Sequence, residues 1–265
     1  MSGLIITLKG VVYDTGKKYY LDKTINPGTR SLFDMAEPST GGGNNITAGA
    51  QIADLTYNGN TGTFVASKAF SNGGMRFTGI KDDGFDLPSA ACMTVSDTHW
   101  MFAAWLKITN AGSSGFNNQT LHFSTVATNG STTALLSLIP TISSGAVTII
   151  ELAVRGKNYV LSSQLAPLYD GARHQFAVEC SISADGAFQT VKVYLDKVQV
   201  YSSTSAVAAT PPGEPTNRRV GTTATLPLSW AGWLYRVRVD DITASGVAAT
   251  EILSADYALC AGRFS

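Results

Sequence analysis

Apolar and polar side chains alternate along most of the chain, as they do in strands that bury one face. Residues 174–182 place Phe176 and Val178 on one face and Gln175 on the other, which predicts a half-buried antiparallel strand. Residues 190–200 alternate in the same way on both sides of Asp196 and Lys197. This run predicts a hairpin, although lysine occupies a turn position where glycine is favoured.

Three further runs differ in how many of their faces are apolar. Residues 235–239 alternate tyrosine and valine with Arg236 and Arg238, which predicts a strand with one face in solvent. Residues 99–108 are apolar at almost every position, and residues 147–154 are similar except at Glu151. A strand that is apolar on both faces belongs in the middle of a layered structure.

Helical patterning is confined to the end of the chain. Residues 250–259 predict a helix, with Ser245 or Thr250 as its N-terminal cap and Gly262 at its end. Elsewhere, clusters of Gly, Asn and Asp mark turns between short strands, without a repeat of fixed period. The pattern predicts an all-β protein, a two-sheet antiparallel jelly-roll sandwich with one short C-terminal helix.

The charge composition excludes several classes of protein. The 265 residues include 19 Lys and Arg and 19 Asp and Glu, so the formal net charge is zero. Charged residues make up 14% of the chain, against roughly 25% in an average soluble domain. A neutral chain lacks the basic stripe of nucleic-acid-binding proteins and the lysine-rich surface that attracts proteins to anionic membranes. No apolar run reaches the about 18 residues that a membrane-spanning helix needs, so we expect no membrane insertion.

The first residues and the cysteines indicate where the chain folds. The start has neither the basic segment nor the cleavage site of a secretory signal peptide, so we expect synthesis in a cytoplasm. Cys92, Cys180 and Cys260 are odd in number and form no closely spaced pair. We predict three buried free thiols.

Six segments, taken in order, resemble concanavalin A-like and laminin-G-like domains. They are residues 74–88 (GMRFTGIKDDGFDLP), 100–107 (WMFAAWLK), 170–178 (DGARHQFAV), 190–200 (TVKVYLDKVQV), 219–240 with GWLYRVRVD at its end, and 250–257 (TEILSADY). Together they cover about residues 46–262, and they depart from the family at Arg173, where Trp is usual, and at Lys197, where Gly is usual. The resemblance implies two packed antiparallel sheets.

The chain is also similar to the laminin-G-like proteins of tailed-bacteriophage particles, in its low charge, its abundance of small residues and its lack of a signal peptide. This resemblance implies a non-enzymatic virion structural protein of the tail, baseplate, fibre or capsid surface, made in the host cytoplasm. Its expected partners are itself, other virion proteins and a cell-surface glycan, and not nucleic acid. Two alternatives stay open: a free carbohydrate-binding lectin module, and a glycan hydrolase with an unrecognised site.

The sequence offers no set of catalytic residues. Glycoside hydrolysis requires two carboxylates that flank the scissile bond, whereas Glu151 and Glu179 each stand alone among apolar neighbours. The three histidines, His99, His122 and His174, have no metal-binding spacing. We therefore predict that the chain is not an enzyme, and we interpret His174 as structural.

Asp82, Asp83 and Asp86 are crowded into one predicted turn. Calcium takes several oxygen ligands, and clustered carboxylates with loop carbonyls can supply them. The alternative is an exposed acidic turn, because oxygen ligands alone do not specify a site. Calcium is the one cofactor that the sequence suggests.

Two tryptophans and one loop are candidates for glycan binding. Trp230 and Trp233 flank a glycine, and the loop of residues 210–219 is stiffened by three prolines and contains Asn217 and Arg218. Aromatic rings beside polar loops suit sugars, whose C–H faces pack on rings. The alternative is that both tryptophans fill the core.

Residues 1–28 precede the sandwich of residues 29–265 and predict a β-hairpin arm. Its apolar positions include Leu4, Ile6, Leu8, Tyr19 and Tyr20, which we predict as oligomer contacts. An isolated hairpin is marginal in water, so the arm docks either on its own sheet edge or on another chain. Identical chains usually close into cyclic oligomers, and a trimer would suit a surface projection.

Overall fold

The computed structural model describes residues 22–37, 45–56, 58–80, 83–109, 121–128, 131–143, 146–209, 218–221 and 231–264. In these ranges the chain forms sixteen strands and two α-helices. The strands are β1 (Thr29–Asp34), β2 (Gln51–Ile52), β3 (Gly62–Phe64), β4 (Phe70–Ser71), β5 (Gly74–Thr78), β6 (Gly84–Asp86), β7 (His99–Ile108), β8 (Leu121–Thr128), β9 (Ser131–Ser143), β10 (Ala146–Val154), β11 (Lys157–Val160), β12 (His174–Ile182), β13 (Phe188–Leu195), β14 (Val198–Ala206), β15 (Arg219–Gly221) and β16 (Ala231–Asp241). The helices are α1 (Ile242–Ser245) and α2 (Ala249–Cys260).

The strands form two antiparallel sheets. The first sheet has the order β14-β13-β12-β7-β16-β5-β4, and β1 pairs with the half of β16 that β5 leaves open. The second sheet has the order β11-β10-β9-β8-β15-β6-β3-β2. This confirms the prediction of an all-β, two-sheet antiparallel sandwich with a short C-terminal helix.

The main core lies between the two sheets. The first sheet contributes Trp100, Phe102 and Phe176, and the second contributes Leu138 and Leu152, all of them almost fully buried. The inward side chains of β7 and β12 follow the alternation of the sequence, because a strand presents every second residue to the same face. The prediction that residues 99–108 are covered on both faces is confirmed.

Helix α2 confirms the predicted C-terminal helix, and it covers part of the outer face of the first sheet. Ile252 and Leu253 of the helix pack on Met101, Ala103 and Ala177 of the sheet. This contact creates a second, smaller core on the opposite side of the first sheet from the main core.

The predicted cap of α2 is wrong. Ala248 stands at the N-cap without a side-chain hydrogen bond, so neither Ser245 nor Thr250 caps the helix. Ser245 instead ends α1, whose N-cap is Asp241. Of the two suggested caps, Ser245 therefore belongs to the short helix α1, and Thr250 lies within α2.

The prediction of a half-buried strand at residues 174–182 is wrong for β12. Gln175 is 1% exposed and Ala177 is fully buried, although both lie on the face opposite Phe176. The Gln175 side-chain amide donates hydrogen bonds to the Leu253 carbonyl at 3.2 Å and to Asp256 at 2.8 Å, both on α2. The helix therefore covers the face that alternation assigned to solvent.

The prediction of one solvent-facing side for residues 235–239 is also wrong. Arg236 is 1% exposed and makes ion pairs with Asp22 at 2.7 Å, Asp34 at 2.8 Å and Asp256 of α2 at 2.7 Å. A buried charge is tolerated only when it is paired and hydrogen-bonded. Three carboxylates around one guanidinium meet this condition.

Arg238 extends the same buried network. Its guanidinium is held by both oxygens of Asp240 at 2.7 Å, and it also donates to Thr24 Oγ1 at 3.1 Å. Trp105 Nε1 donates to Asp256 at 2.7 Å, so the polar edge of the tryptophan is satisfied under α2. We call Asp22, Asp34, Arg236, Arg238, Asp240 and Asp256 the buried ion network.

The residues just before β1 belong to this network. Besides its ion pair with Arg236, Asp22 accepts hydrogen bonds from the Thr24 backbone at 2.8 Å and hydroxyl at 2.6 Å, and Ile25 packs on Leu32 and Leu55. A division of the chain after residue 28, as the sequence suggested, cuts through these contacts. Residues 1–21 of the predicted arm lie outside the described residues.

Strand β10 only partly follows its prediction. Leu152 and Val154 are buried, but Ile149 is 41% exposed and Thr148 is exposed. The first half of the strand therefore has one open face, and the prediction that residues 147–154 are covered on both faces is wrong there.

Two local predictions are confirmed. Asp196 and Lys197 form the β13–β14 turn with φ values of 49° and 64°, as a two-residue hairpin turn with positive φ requires. Cys92, Cys180 and Cys260 are free and buried. Among the helices that the structure describes, none has the length and apolar character to cross a membrane.

Replacing Arg236 with methionine should lower the free energy of unfolding by about 3–5 kcal/mol, because it leaves buried carboxylates without their cation. Urea denaturation of both proteins measures the loss. The control is Arg76→Met, which removes the same charge from an exposed strand position and should change stability by no more than about 0.5 kcal/mol. Equal losses in the two variants would contradict a stabilising role for the network.

Candidate functional site

The outer face of the first sheet is left open beyond helix α2. In the strand register, Trp233 of β16 lies directly between Lys107 of β7 and Arg76 of β5. Residues directly opposite each other on neighbouring strands point to the same face. We call these three residues the aromatic–basic row.

Both cations of the row lie beside the tryptophan ring. The Lys107 ammonium is 5.7 Å from the Trp233 ring centroid, and the Arg76 guanidinium is 5.9 Å from it. The Trp233 Nε1 donates to the Ser71 hydroxyl at 3.1 Å, which orients the ring across the strands. Trp233 is half-buried, so part of its ring remains accessible.

A β-bulge in β16 places Trp233 on this face. The register shifts between Leu234 and Arg236, so Tyr235 is the extra residue. Leu234 and Val237 both point into the main core, whereas Tyr235 packs on the opposite face. Strict alternation would place Tyr235 on the same face as Val237. The sequence pattern therefore assigns Tyr235 to the face of the main core, and this assignment is wrong.

Two further pairs of a cation and an aromatic ring flank the row. The Arg173 guanidinium is 5.4 Å from the Tyr235 ring, and the Lys197 ammonium is 4.8 Å from the Tyr257 ring. Arg173 and Lys197 are the positions where the chain departs from the resembling family. The two departures thus add positive charge to the same side of the molecule.

Among the described residues, the cations of this region have no carboxylate partners. Arg76, Lys107, Arg173 and Lys197 make no ion pair with any described residue, whereas Arg236 has three. Unpaired cations around a partly exposed ring produce a local positive potential, although the chain as a whole is neutral. Such a surface can bind a ligand that has an apolar face and negative groups.

Only part of the predicted glycan site can be located. Trp233 lies in the row, but Trp230 and Asn217 lie outside the described residues. Arg218 precedes β15 of the second sheet, where its carbonyl accepts a hydrogen bond from the Leu87 backbone at 2.9 Å. The structure therefore does not bring Arg218 together with Trp233.

The acidic turn is not a cluster of free carboxylates. Asp83 is fully buried in an ion pair with Lys68, and Asp86 receives two hydrogen bonds from Arg219 at 2.7 and 3.1 Å. Asp82 lies outside the described residues. Within the described part of the chain, no group of three or more His, Cys, Asp or Glu side chains is placed so that it could hold a metal ion. The exposed-turn interpretation is wrong for Asp83, and calcium binding stays a prediction.

The glutamates that stand alone among apolar neighbours in the sequence lie on different sheets, Glu151 on β10 and Glu179 on β12. Glu179 accepts hydrogen bonds from His99 at 2.9 Å, Lys192 at 3.1 Å and Tyr194 at 2.5 Å. Burial opposes ionisation, but these partners outweigh it and lower the pKa of Glu179 to about 2. A carboxyl group that is ionised at neutral pH has no proton to give to a leaving group.

His174 joins two segments at the end of the first sheet. Its Nδ1 is 2.8 Å from Asp196 and its Nε2 is 3.2 Å from Asp170. The hydrogen bond with Asp196 raises the pKa of His174, against the opposing effect of burial, and Asp170 adds to the rise. The arrangement fits a structural histidine that fixes the β13–β14 turn.

The predicted oligomer contacts cannot be placed. Leu4, Ile6, Leu8, Tyr19 and Tyr20 all lie outside the described residues. The choice between docking on the same chain and docking on another chain therefore stays open.

Comparison with known proteins identifies the fold. No protein-family model matches the sequence, and no curated protein matches it. A sialidase from Trypanosoma rangeli is similar in structure, with a TM-score of 0.56 and 11% identity over 87% of this chain and 32% of that chain. The match spans about a third of the sialidase.

Two smaller domains are also similar. Domain 4 of a GH43 extracellular arabinanase from Geobacillus stearothermophilus, solved in complex with arabinotriose, has a TM-score of 0.51 and 14% identity over 88% of this chain and all of that domain. The receptor-binding domain of botulinum neurotoxin type G has a TM-score of 0.51 and 11% identity over 88% of this chain and 51% of that one. At these identities the likeness shows a β-sandwich fold.

The stabilising contribution of His174 should depend on pH. Because its pKa is raised on folding, the contribution is complete below about pH 6.5, the ordinary value of histidine, and is lost as the pH rises through the pKa of the folded state. The difference in unfolding free energy between the wild type and His174→Gln should therefore be larger at about pH 5 than at about pH 9. Urea denaturation at both pH values tests this, and a difference independent of pH would contradict it.

Proposed function

We propose that this chain is a non-enzymatic carbohydrate-binding β-sandwich domain, and that it binds glycans through the aromatic–basic row. The observation that carries the proposal is Trp233, which lies half-exposed between the unpaired cations Arg76 and Lys107. The indole ring offers a flat apolar platform for one face of a sugar ring. The arabinanase domain, which is similar in fold, was solved with a bound arabinotriose, and this agrees with the proposal.

The charges around the ring favour glycans that carry carboxylate or sulfate groups. Lys107 and Arg76 reach the two sides of the ring, and Arg173 and Lys197 lie further along the same face. A sugar that stacks on Trp233 would have its substituents within reach of a cation on either side. Guanidinium groups bind carboxylates and sulfates through paired hydrogen bonds, which gives geometric specificity as well as attraction.

We further propose that the domain works as a structural component of a tailed-bacteriophage virion, at the tail, baseplate, fibre or capsid surface. The support is the resemblance to laminin-G-like virion proteins, the low charge and the abundance of small residues. Mass spectrometry of purified particles tests this location. A chain that is absent from the particles and free in the lysate would favour the alternative of a free lectin module.

Replacing Trp233 with alanine should weaken glycan binding by about 30-fold or more, because truncating a central aromatic anchor costs about 2 kcal/mol or more. A glycan array identifies ligands, and titration calorimetry measures the affinities of both proteins. The matched control is Phe188→Ala, which removes another exposed aromatic ring from the same sheet and should leave binding unchanged. Equal affinity in all three proteins would contradict a site at Trp233.

The charge component of the site has its own test. The double variant Arg76→Gln/Lys107→Gln should lose affinity for acidic glycans and keep its affinity for neutral ones, and wild-type binding should weaken as salt screens the cations. Identical salt dependence in the variant and the wild type would contradict a role for these cations. Release of new reducing ends during incubation with the bound glycan would contradict a non-enzymatic domain.

The proposed self-association is tested by removing residues 1–21, which leaves Asp22 and the buried ion network intact. If the arm joins identical chains, as proposed for a trimer, light scattering should show a smaller particle whose melting temperature is largely kept. A deleted protein that keeps the size of the full chain would contradict this role. A monomeric but strongly destabilised product would instead indicate that the arm docks on its own sheet.

A further inference from the structure

Lys68 and Asp83 form a buried pair in segments that connect the two sheets. Lys68 lies between β3 and β4, and Asp83 immediately precedes β6. The side chain of Lys68 is 2% exposed and that of Asp83 is fully buried. The Lys68 Nζ is in direct contact with an Asp83 carboxylate oxygen.

The surroundings of this pair are apolar. The Lys68 Nζ lies 4.5 Å from the centroid of the Phe77 ring, and Phe77 belongs to the main core. Among the described residues, Asp83 is the one carboxylate that pairs with Lys68. Arg236 in the buried ion network, in contrast, is paired with three carboxylates.

The backbone holds both residues in place. Lys68 exchanges two backbone hydrogen bonds with Ile46, at 2.8 and 2.9 Å. Next to Asp83, two backbone segments pass so close to each other that a Cβ added to Gly221 would lie 2.1 Å from the Asp83 carbonyl oxygen. A Cβ added to Gly84 would likewise lie 2.0 Å from the Val220 carbonyl oxygen of the neighbouring strand. The contact between the amine and the carboxyl group is therefore enforced by the fold.

Burial also favours the reactive form of the amine. Desolvation lowers the pKa of Lys68 to about 7, which favours the uncharged amine. Transfer of the ammonium proton to Asp83 gives a neutral amine and a neutral carboxylic acid, the pair of forms that an apolar site accommodates at least cost. In this arrangement the neutral amine nitrogen is a nucleophile, and the carboxyl carbon beside it is the electrophile.

We propose that Lys68 and Asp83 condense to form an amide cross-link between their side chains. The lone pair of Nζ forms a bond to Cγ of Asp83, and the C–O bond to the carboxyl hydroxyl breaks. The hydroxyl leaves with a proton from the nitrogen as one water molecule. No atom is oxidised or reduced, and the reaction needs no cofactor.

The cross-link would join two places where the chain passes between the sheets. The segment that contains Lys68 runs from β3 of the second sheet to β4 of the first, and the segment that ends at Asp83 runs from β5 of the first sheet to β6 of the second. A covalent bond here restricts the unfolded chain, which is the source of stabilisation assigned to cross-links in the chain-entropy model. It also leaves a neutral amide in the apolar site, where no buried charge needs a partner.

Mass spectrometry of the full-length protein under denaturing conditions tests the proposal. The wild type should be lighter than its sequence mass by one water molecule, and a protease digest should contain one branched peptide that joins Lys68 to Asp83. Lys68→Met and Asp83→Ala should each have their full sequence mass. A wild type with its full sequence mass and without a branched peptide would overturn the proposal.

A succinimide at Asp83 and Gly84 would also remove one water, so the experiment must separate the two products. The succinimide would persist in Lys68→Met and would open in mild base, whereas the side-chain amide would be absent from Lys68→Met and would survive mild base. Loss of water that persists in Lys68→Met overturns the proposal. If that variant does not fold, the branched peptide from the wild type decides between the two products.

Discussion

The buried ion network is the constraint on which the rest of the first sheet depends. Arg236 and Arg238 belong to β16, which is central and pairs with β7, β5 and β1. Their charges can be buried only where every partner is in place, and those partners come from the segment before β1, from β1 itself and from α2. The network therefore fixes the position of α2 and of residues 22–28 on the sheet.

The position of α2 in turn decides which part of the outer face stays open. Trp105 lies beneath the helix and donates to Asp256, whereas Lys107, two residues further along the same strand, lies beyond it. Phe264, after the helix, stacks on Tyr235 with the ring centroids 5.2 Å apart and closes the covered region. The aromatic–basic row begins where this cover ends, so the same network that stabilises the sheet also delimits the candidate site.

The sequence predicted the strands and the main core well, because one face of each central strand packs on the opposing sheet. Phe176 and Trp100 could be assigned to the core from alternation alone. Burial of Arg236 could not be predicted, because a period of two does not distinguish a solvated charge from one with three buried partners. Arg76 and Lys107 were missed for a different reason: only the strand register brings them beside Trp233, and the bulge at Tyr235 hides that register from the sequence pattern.

The surroundings of the buried side chains of Arg236 and Lys68 compensate charge in different ways. Around Arg236, several carboxylates and hydrogen-bond donors compensate the buried charges, so the site is stabilised by completing its set of partners. Around Lys68, one carboxylate and an aromatic ring contact the amine, and burial in apolar surroundings favours neutral groups. Where a neutral amine and a neutral acid are held in contact by rigid backbone, the proposed condensation would make the loss of charge permanent. A covalent link at Lys68 and an ionic link at Arg236 would then be two outcomes of the same desolvation cost, decided by how many partners each site provides.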